Sequence, residues 1–174
     1  MREEDGFKTS RMLVVGGHTH TVHLLRQVLD IMGVQRVVTT VLANMAIDLL
    51  LTEVFSAVFC DSSIAESDPE SFANAARRTP DLVNPLIPIF LVCSGPRRGD
   101  VELARDTGFN GLLALPLSAA TVTRKLKAEL LNPRSFIASR QFFGPDRRNA
   151  VRSWRGVDRR VQQPRKVKIK APEI

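Results

Sequence analysis

Residues 13–34 read LVVGGHTHTVHLLRQVLDIMGV, and the change of rhythm inside this stretch decides the fold. Leu13, Val14 and Val15 continue an apolar run from Met12 that is too short for a helix and stops at Gly16 and Gly17, as a buried strand does. Val22, Leu25, Val28, Leu29 and Met32 then recur at three- and four-residue spacing, one apolar stripe along a helix that Gly33 terminates. A strand followed by a helix with one apolar face is half of a unit that must repeat, because each helix needs a sheet to cover. Further strands are predicted at Arg36–Thr40, Ala57–Cys60, Ile87–Cys93 and Gly111–Leu115, after a first at Met12–Val15. Helices are predicted at Thr21–Met32, Ala43–Thr52, Pro69–Arg78, Gly99–Thr107 and Ser118–Leu131. Five such units in about 120 residues predict an α/β fold, a flavodoxin-like doubly wound five-stranded parallel sheet over residues 11–131. The loops at the carboxyl ends of its strands are the natural functional face.

Residues 1–10 read as an N-terminal extension. After Asn132 and Pro133 the apolar periodicity stops. Residues 133–174 hold 12 Lys and Arg against 3 Asp and Glu, leaving 13 against 15 for residues 1–132. A basic segment on a near-neutral domain points to a phosphate-bearing partner, be it nucleotide, nucleic acid or anionic membrane. With little to bury, the segment is expected to be largely flexible on its own, with residues 132–161 as an arginine-rich binding region and 162–174 as a basic disordered tail. Cys60 and Cys93 each close an apolar run and read as buried free thiols, which argues for no oxidising compartment. No apolar run reaches the ~18 residues of a membrane span, and the N-terminus lacks the apolar core of a signal peptide, so a cytoplasmic protein without membrane insertion is expected.

The series of elements resembles a response-regulator receiver domain across residues 11–131. The match lies in the opening stretch, in FSAVFCDSS (55–63), in IPIFLVCSG (87–95) and in NGLLALPLS (110–118). Phosphoryl transfer in receivers needs a carboxylate acceptor, an acidic pair holding Mg²⁺, a hydroxyl and a Lys; the cations neutralise charge developing on the phosphoryl oxygens. Here the acceptor position is kept as a vestigial Asp61. The acidic pair falls on Gly16 and Gly17, the hydroxyl on Cys93, the Lys on Leu115 and the signalling aromatic on Leu112. With the cation and its ligands gone, no catalytic residue, metal site or cofactor is expected, and the chain is read as a binding protein rather than an enzyme. His18, His20 and His23 lack a Cys or carboxylate at ligand spacing and are expected to fill the vacated pocket or face solvent.

Residues 139–161, SRQFFGPDRRNAVRSWRGVDRRV, contain a repeat: Gly144-Pro145-Asp146-Arg147-Arg148 recurs as Gly156-Val157-Asp158-Arg159-Arg160, with Phe143 and Trp154 upstream. A purely phosphate-binding tail avoids acids, since each carboxylate cancels a contact. Guanine accounts for the mixture: Arg bonds its O6 and N7 edge in bidentate fashion, and a carboxylate accepts from N1 and N2. Aromatic and guanidinium planes add stacking.

This segment resembles the arginine-rich extension of the Cle proteins, CheY-like effectors of cyclic di-GMP that act at the bacterial flagellar motor. The resemblance covers both halves, a degenerate receiver and the doubled DRR element. It implies a cyclic di-GMP ligand, as an intercalated dimer wrapped by the tail. It further implies that the liganded protein docks on flagellar motor switch proteins, near residues 98–131, to control motility and surface attachment, an expectation that extends to recruitment at the flagellated cell pole. Carried onto this chain, Arg147, Arg148, Arg159 and Arg160 would contact base edges with Asp146 and Asp158 as acceptors. Phe143 and Trp154 would stack, Arg140, Arg152 and Arg155 would bind phosphate or stack, and Gly144 and Gly156 would allow close backbone approach. Phe142 reads as an anchor of the tail on the domain or a partner. The alternative is a pseudo-receiver adaptor whose basic tail binds nucleic acid or membrane nonspecifically, which leaves the in-register aspartates unexplained and makes nucleic acid the weaker candidate.

Overall fold

The computed structural model describes residues 7–17, 19–64, 67–140, 142–147 and 165–167. Strand β1 (Arg11–Val15) leads through helix α1 (Thr19–Ile31) to β2 (Arg36–Thr40), α2 (Ala43–Thr52), β3 (Ala57–Asp61), α3 (Pro69–Arg78), β4 (Ile89–Ser94), α4 (Arg98–Asp106), β5 (Gly111–Leu115) and α5 (Ala119–Leu131). The five strands form one parallel sheet in the order β2-β1-β3-β4-β5, the doubly wound arrangement expected from the alternation of runs.

Side chains alternate across the pleat, so each strand feeds two cores. On one face Leu13, Val15, Val58, Cys60, Ile89 and Leu91 pack under α2, α3 and α4 through Ala46, Leu50, Phe72, Ala76 and Ala104. On the other, Met12, Val14, Phe59, Phe90, Val92 and Leu113 pack under α1 and α5 through Leu25, Leu29, Val122 and Leu126. Local signals set the ends of the helices. Asp68 caps α3 by accepting from the Ser71 N–H at 2.8 Å ahead of Pro69, and Ser118 caps α5 by accepting from Thr121 N–H at 3.2 Å. Gly33 leaves α1 with φ of 81°, a conformation that suits glycine.

Beyond the five-unit domain the described residues add a second, three-stranded antiparallel sheet that the periodicity did not foretell. Strand β6 (Phe136–Ala138) pairs on one side with β7 (Phe143–Pro145) and on the other with β8 (Arg165–Val167), in the order β7-β6-β8. Residues 165–167 fall in the stretch read from sequence as disordered tail, so that reading is corrected there: backbone pairing to β6, which needs no apolar periodicity, orders them. A turn at Ser139–Phe142 joins β6 to β7, closed by the Ser139 N–H donating to the Phe142 carbonyl at 2.8 Å and the Phe142 N–H to the Ser139 hydroxyl at 3.0 Å. Among the described residues no helix is long and apolar enough to cross a membrane.

Candidate functional site

The pocket at the carboxyl ends of β1, β3 and β4 is closed around Asp61. The side chain is buried; Oδ1 accepts from the Ser63 N–H at 3.1 Å and from its hydroxyl at 2.9 Å, while Oδ2 is buried without a hydrogen-bond partner. Gly16, at the first acidic-pair position, leaves the space that the Asp61 side chain occupies. A Cβ on Gly16 would lie 2.9 Å from Asp61 Cβ and 3.0 Å from Val22 Cγ2, so an acid could not be placed without moving Asp61. Cys93 is buried where a hydroxyl is needed. Desolvation, reinforced by the charges of Asp100 and Asp61, pushes its thiol up to about 11, so it is neither hydroxyl nor thiolate at neutral pH. Burial likewise pushes the Cys60 thiol well up. Leu115, at the Lys position, is half-buried against the α1/α5 core, and the Leu115–Pro116 peptide is cis. Leu112, at the aromatic position, packs against the opposite core.

These residues do not fit the magnesium ion that phosphoryl transfer in receivers requires: one carboxylate is present, its neighbours are glycine, and the room for a second acid is taken. Of the three histidines, His20 and His23 lie exposed on α1, leaving the pocket to Gly16, Val22 and Asp61, whereas His18 lies outside the described residues. Among the described residues no group of three or more His, Cys, Asp or Glu could hold a metal ion.

The second candidate is the basic segment, and its docking begins with a buried arginine. Arg77 lies on the stripe Phe72, Ala73, Ala76 of α3 and is 2% exposed. Nε donates to the Gly108 carbonyl at 3.1 Å, Nη1 to the carbonyls of Pro85 at 2.8 Å and Ile87 at 2.7 Å, and Nη2 to Asn110 Oδ1 at 2.8 Å. Burial pushes the guanidinium down to about 9, with the charge of Glu129 pulling back up, so it remains protonated at neutral pH. Asn110 passes the network on by donating to Glu129 Oε2 at 2.7 Å, and Arg134, just before β6, pairs with Glu129 at 2.6 Å and bonds the Asn110 carbonyl.

On this base the β6–β8 sheet is seated. Phe136 is fully buried, with the Arg77 guanidinium 5.0 Å from its ring centre and Phe143 meeting it edge-on at 5.9 Å. Glycines let the backbones touch: a Cβ on Gly108, whose φ is +92°, would sit 2.7 Å from the Phe143 carbonyl, and one on Gly144 would sit 2.6 Å from Gly108 Cα. The close approach expected of Gly144 is thus made to the chain itself, and Phe143, expected to stack on a ligand, packs inward.

The first DRR copy follows directly. Asp146 donates its backbone N–H to the Ser135 carbonyl at 2.7 Å, and its carboxylate lies 4.0 Å from Lys166 Nζ. Arg147 Nη1 reaches Asp106 Oδ1 at the end of α4 at 2.6 Å, and its guanidinium lies 4.2 Å from the centre of the Phe142 ring. Asp106 is held below the usual carboxylate range, chiefly by the hydrogen bonds from Arg105 at 3.0 and 3.1 Å. The Arg140 carbonyl accepts from Arg78 at 3.4 Å. Arg148, Arg152, Trp154, Arg155, Gly156, Asp158, Arg159 and Arg160 lie outside the described residues. The structure therefore brings together Phe142, Arg147 and Asp106, of which sequence reading assigned only Arg147 to a binding role. Asp106 is 41 positions away and carries no local signal, whereas Arg77, which the sequence reading missed, could have been found as a cation on the apolar stripe of α3.

Comparisons with protein-family profiles and with curated proteins give no match. Solved structures do match. The receiver domain of sensor histidine kinase PA1611 from Pseudomonas aeruginosa, which holds magnesium in its active-site cleft, is 22% identical, with a TM-score of 0.60 over 68% of this chain and 94% of that one. A putative response regulator from Chloroflexus aurantiacus gives 0.62 at 19% identity over 68% and 94%. The chemotaxis response regulator CheY4 of Vibrio cholerae gives 0.58 at 17% over 68% and 96%. The chain has the fold of CheY-like receiver domains.

Proposed function

We propose that this chain is a signalling protein that takes its input not as a phosphoryl group on Asp61 but as cyclic di-GMP on the segment 140–160. Bound, it then acts on a flagellar motor protein to control motility and surface attachment. The observation that carries this reading is the division of the molecule. Asp61 is closed in against Gly16 at the carboxyl ends of the strands. The first DRR copy leaves a sheet docked at Gly108, beside the amino end of β5, and so at the opposite end of a parallel sheet. The receiver body serves as scaffold and output surface, and the arginine-rich segment as sensor. Docking of β6 and β7 supports the assignment energetically, since backbone that is already ordered, as at residues 142–147, loses less entropy when a ligand binds. The doubled Asp-Arg-Arg offers guanine-edge and phosphate contacts together, for which a ligand repeating both is the natural complement.

The test is calorimetric titration with cyclic di-GMP, with cyclic di-AMP as control, on the wild-type chain and on Arg147→Ala and Asp158→Ala. The expected result is micromolar or tighter, guanine-selective binding lost in both variants, with about two ligands per chain for a wrapped dimer. Equal response to both dinucleotides, or affinity that falls steeply with salt and extends to any polyanion, would instead establish a nonspecific basic tail.

A further inference from the structure

We propose that Phe142, Arg147 and Asp106 form a preformed shelf for one base of the ligand, in which Asp106, on the receiver body, is a positioning residue; the inference rests on the cyclic di-GMP reading above. The guanidinium plane of an arginine is a stacking surface only if something holds it flat, because a free side chain of this length samples many rotamers. Here two contacts hold it. The Phe142 ring lies 4.2 Å from the guanidinium, and Asp106 Oδ1 accepts from Nη1 at 2.6 Å. The Phe142 main chain is fixed by its N–H and carbonyl, which both bond Ser139 across the hairpin turn, and its ring lies against Gly144, where a Cβ would come within 2.8 Å of Cζ. Asp106 is fixed by two hydrogen bonds from Arg105 on the same helix. The carboxylate engages one edge of the guanidinium and the ring one face, while 36% of the Arg147 side chain still meets solvent. What remains on offer is a part-exposed, charged planar group on which a purine can stack, beside nitrogens that no described residue engages and that suit a base edge or phosphate.

Phe142 thereby takes the stacking role in the first repeat, while its neighbour Phe143 meets Phe136 edge-on. The shelf also makes the receiver body part of the binding site: a base on Arg147 is placed against the last residue of α4, so occupancy is felt by the domain and not by the tail alone.

Two measurements test this. In ligand-free protein, the Arg147 Nε–H resonance should be displaced by the Phe142 ring current, return towards the value of a free arginine in Phe142→Leu, and broaden or shift in Asp106→Asn. In titrations with cyclic di-GMP, Asp106→Asn and Phe142→Leu should each weaken binding about threefold to tenfold, and Asp106→Glu should restore most of it. Arg147→Lys, which keeps the charge but not the plane, should lose nearly as much as Arg147→Ala. An Asp106→Asn variant that binds as well as wild type or tighter would overturn the shelf, making Asp106 a bystander or a competitor for Arg147. So would an Arg147 resonance indifferent to Phe142. Failure of the wild-type chain to bind cyclic di-GMP at all would overturn the effector reading together with the shelf's use, whereas binding untouched by the Phe142 and Asp106 changes would overturn the shelf alone.

Discussion

Gly144 carries two constraints at once. It opens the first repeat, where a ligand-binding reading wants a bare backbone, and it is the point at which β7 meets the turn at Gly108, with no room for a Cβ on either residue. A methyl group at Gly144 would meet Gly108 Cα at 2.6 Å and the Phe142 ring at 2.8 Å, and backbone cannot yield as a side-chain tip can. Gly144→Ala should therefore destabilise the seated sheet by about 1–3 kcal/mol, as overpacking does. The check is amide hydrogen exchange: the Asp146 N–H, bonded to the Ser135 carbonyl, should exchange much faster in the variant, while amides of β1 and β3 keep their protection.

At the level of elements, the ends of β2, α2, α3 and β5 fall where the sequence places them, and two of them are bounded by marked residues: Asp68-Pro69 opens α3, and β5 runs from Gly111 to the residue before Pro116. The seated sheet was illegible for equally physical reasons. Its strands are three residues long, too short for a period of two to register, and one of them reads Arg-Lys-Val. Its deep anchor, Phe136, lies in the short apolar run Phe136-Ile137-Ala138 and finds its partners, Arg77 and Phe143, through the fold. Of the proposed binding residues, the repeat is visible as a pattern in the sequence, but Asp106 reads only as part of an ordinary amphipathic helix, and α4 ends beside Arg147 only in the fold. Phe136→Ala should cost about 3–5 kcal/mol in urea unfolding, since it removes a buried aromatic and leaves the Arg77 guanidinium facing a void. A loss below about 1 kcal/mol would mean that the sheet contributes nothing to the body's stability.

For the molecule as a whole, the Asp61 pocket and the seated sheet lie at opposite ends of five parallel strands, so a change at one leaves the other's contacts in place. The wild-type chain is expected to take up no phosphoryl group from acetyl phosphate with magnesium, read as intact mass. Substituting Asp at Gly16 alone is expected to leave it inert, because the new Cβ collides with Asp61 before its carboxylate can reach a metal ion. Detectable aspartyl phosphate on the unmodified chain would show that Asp61 still receives a signal. The paired glycines at the other end carry a further implication for transplanting the proposed sensor. The segment is a key cut for one lock: a host receiver would need a left-handed glycine before its fifth strand and an arginine sunk in its third helix. Without both, the graft would dangle as an untethered charged peptide, and no improvement of its binding motif would make the host respond.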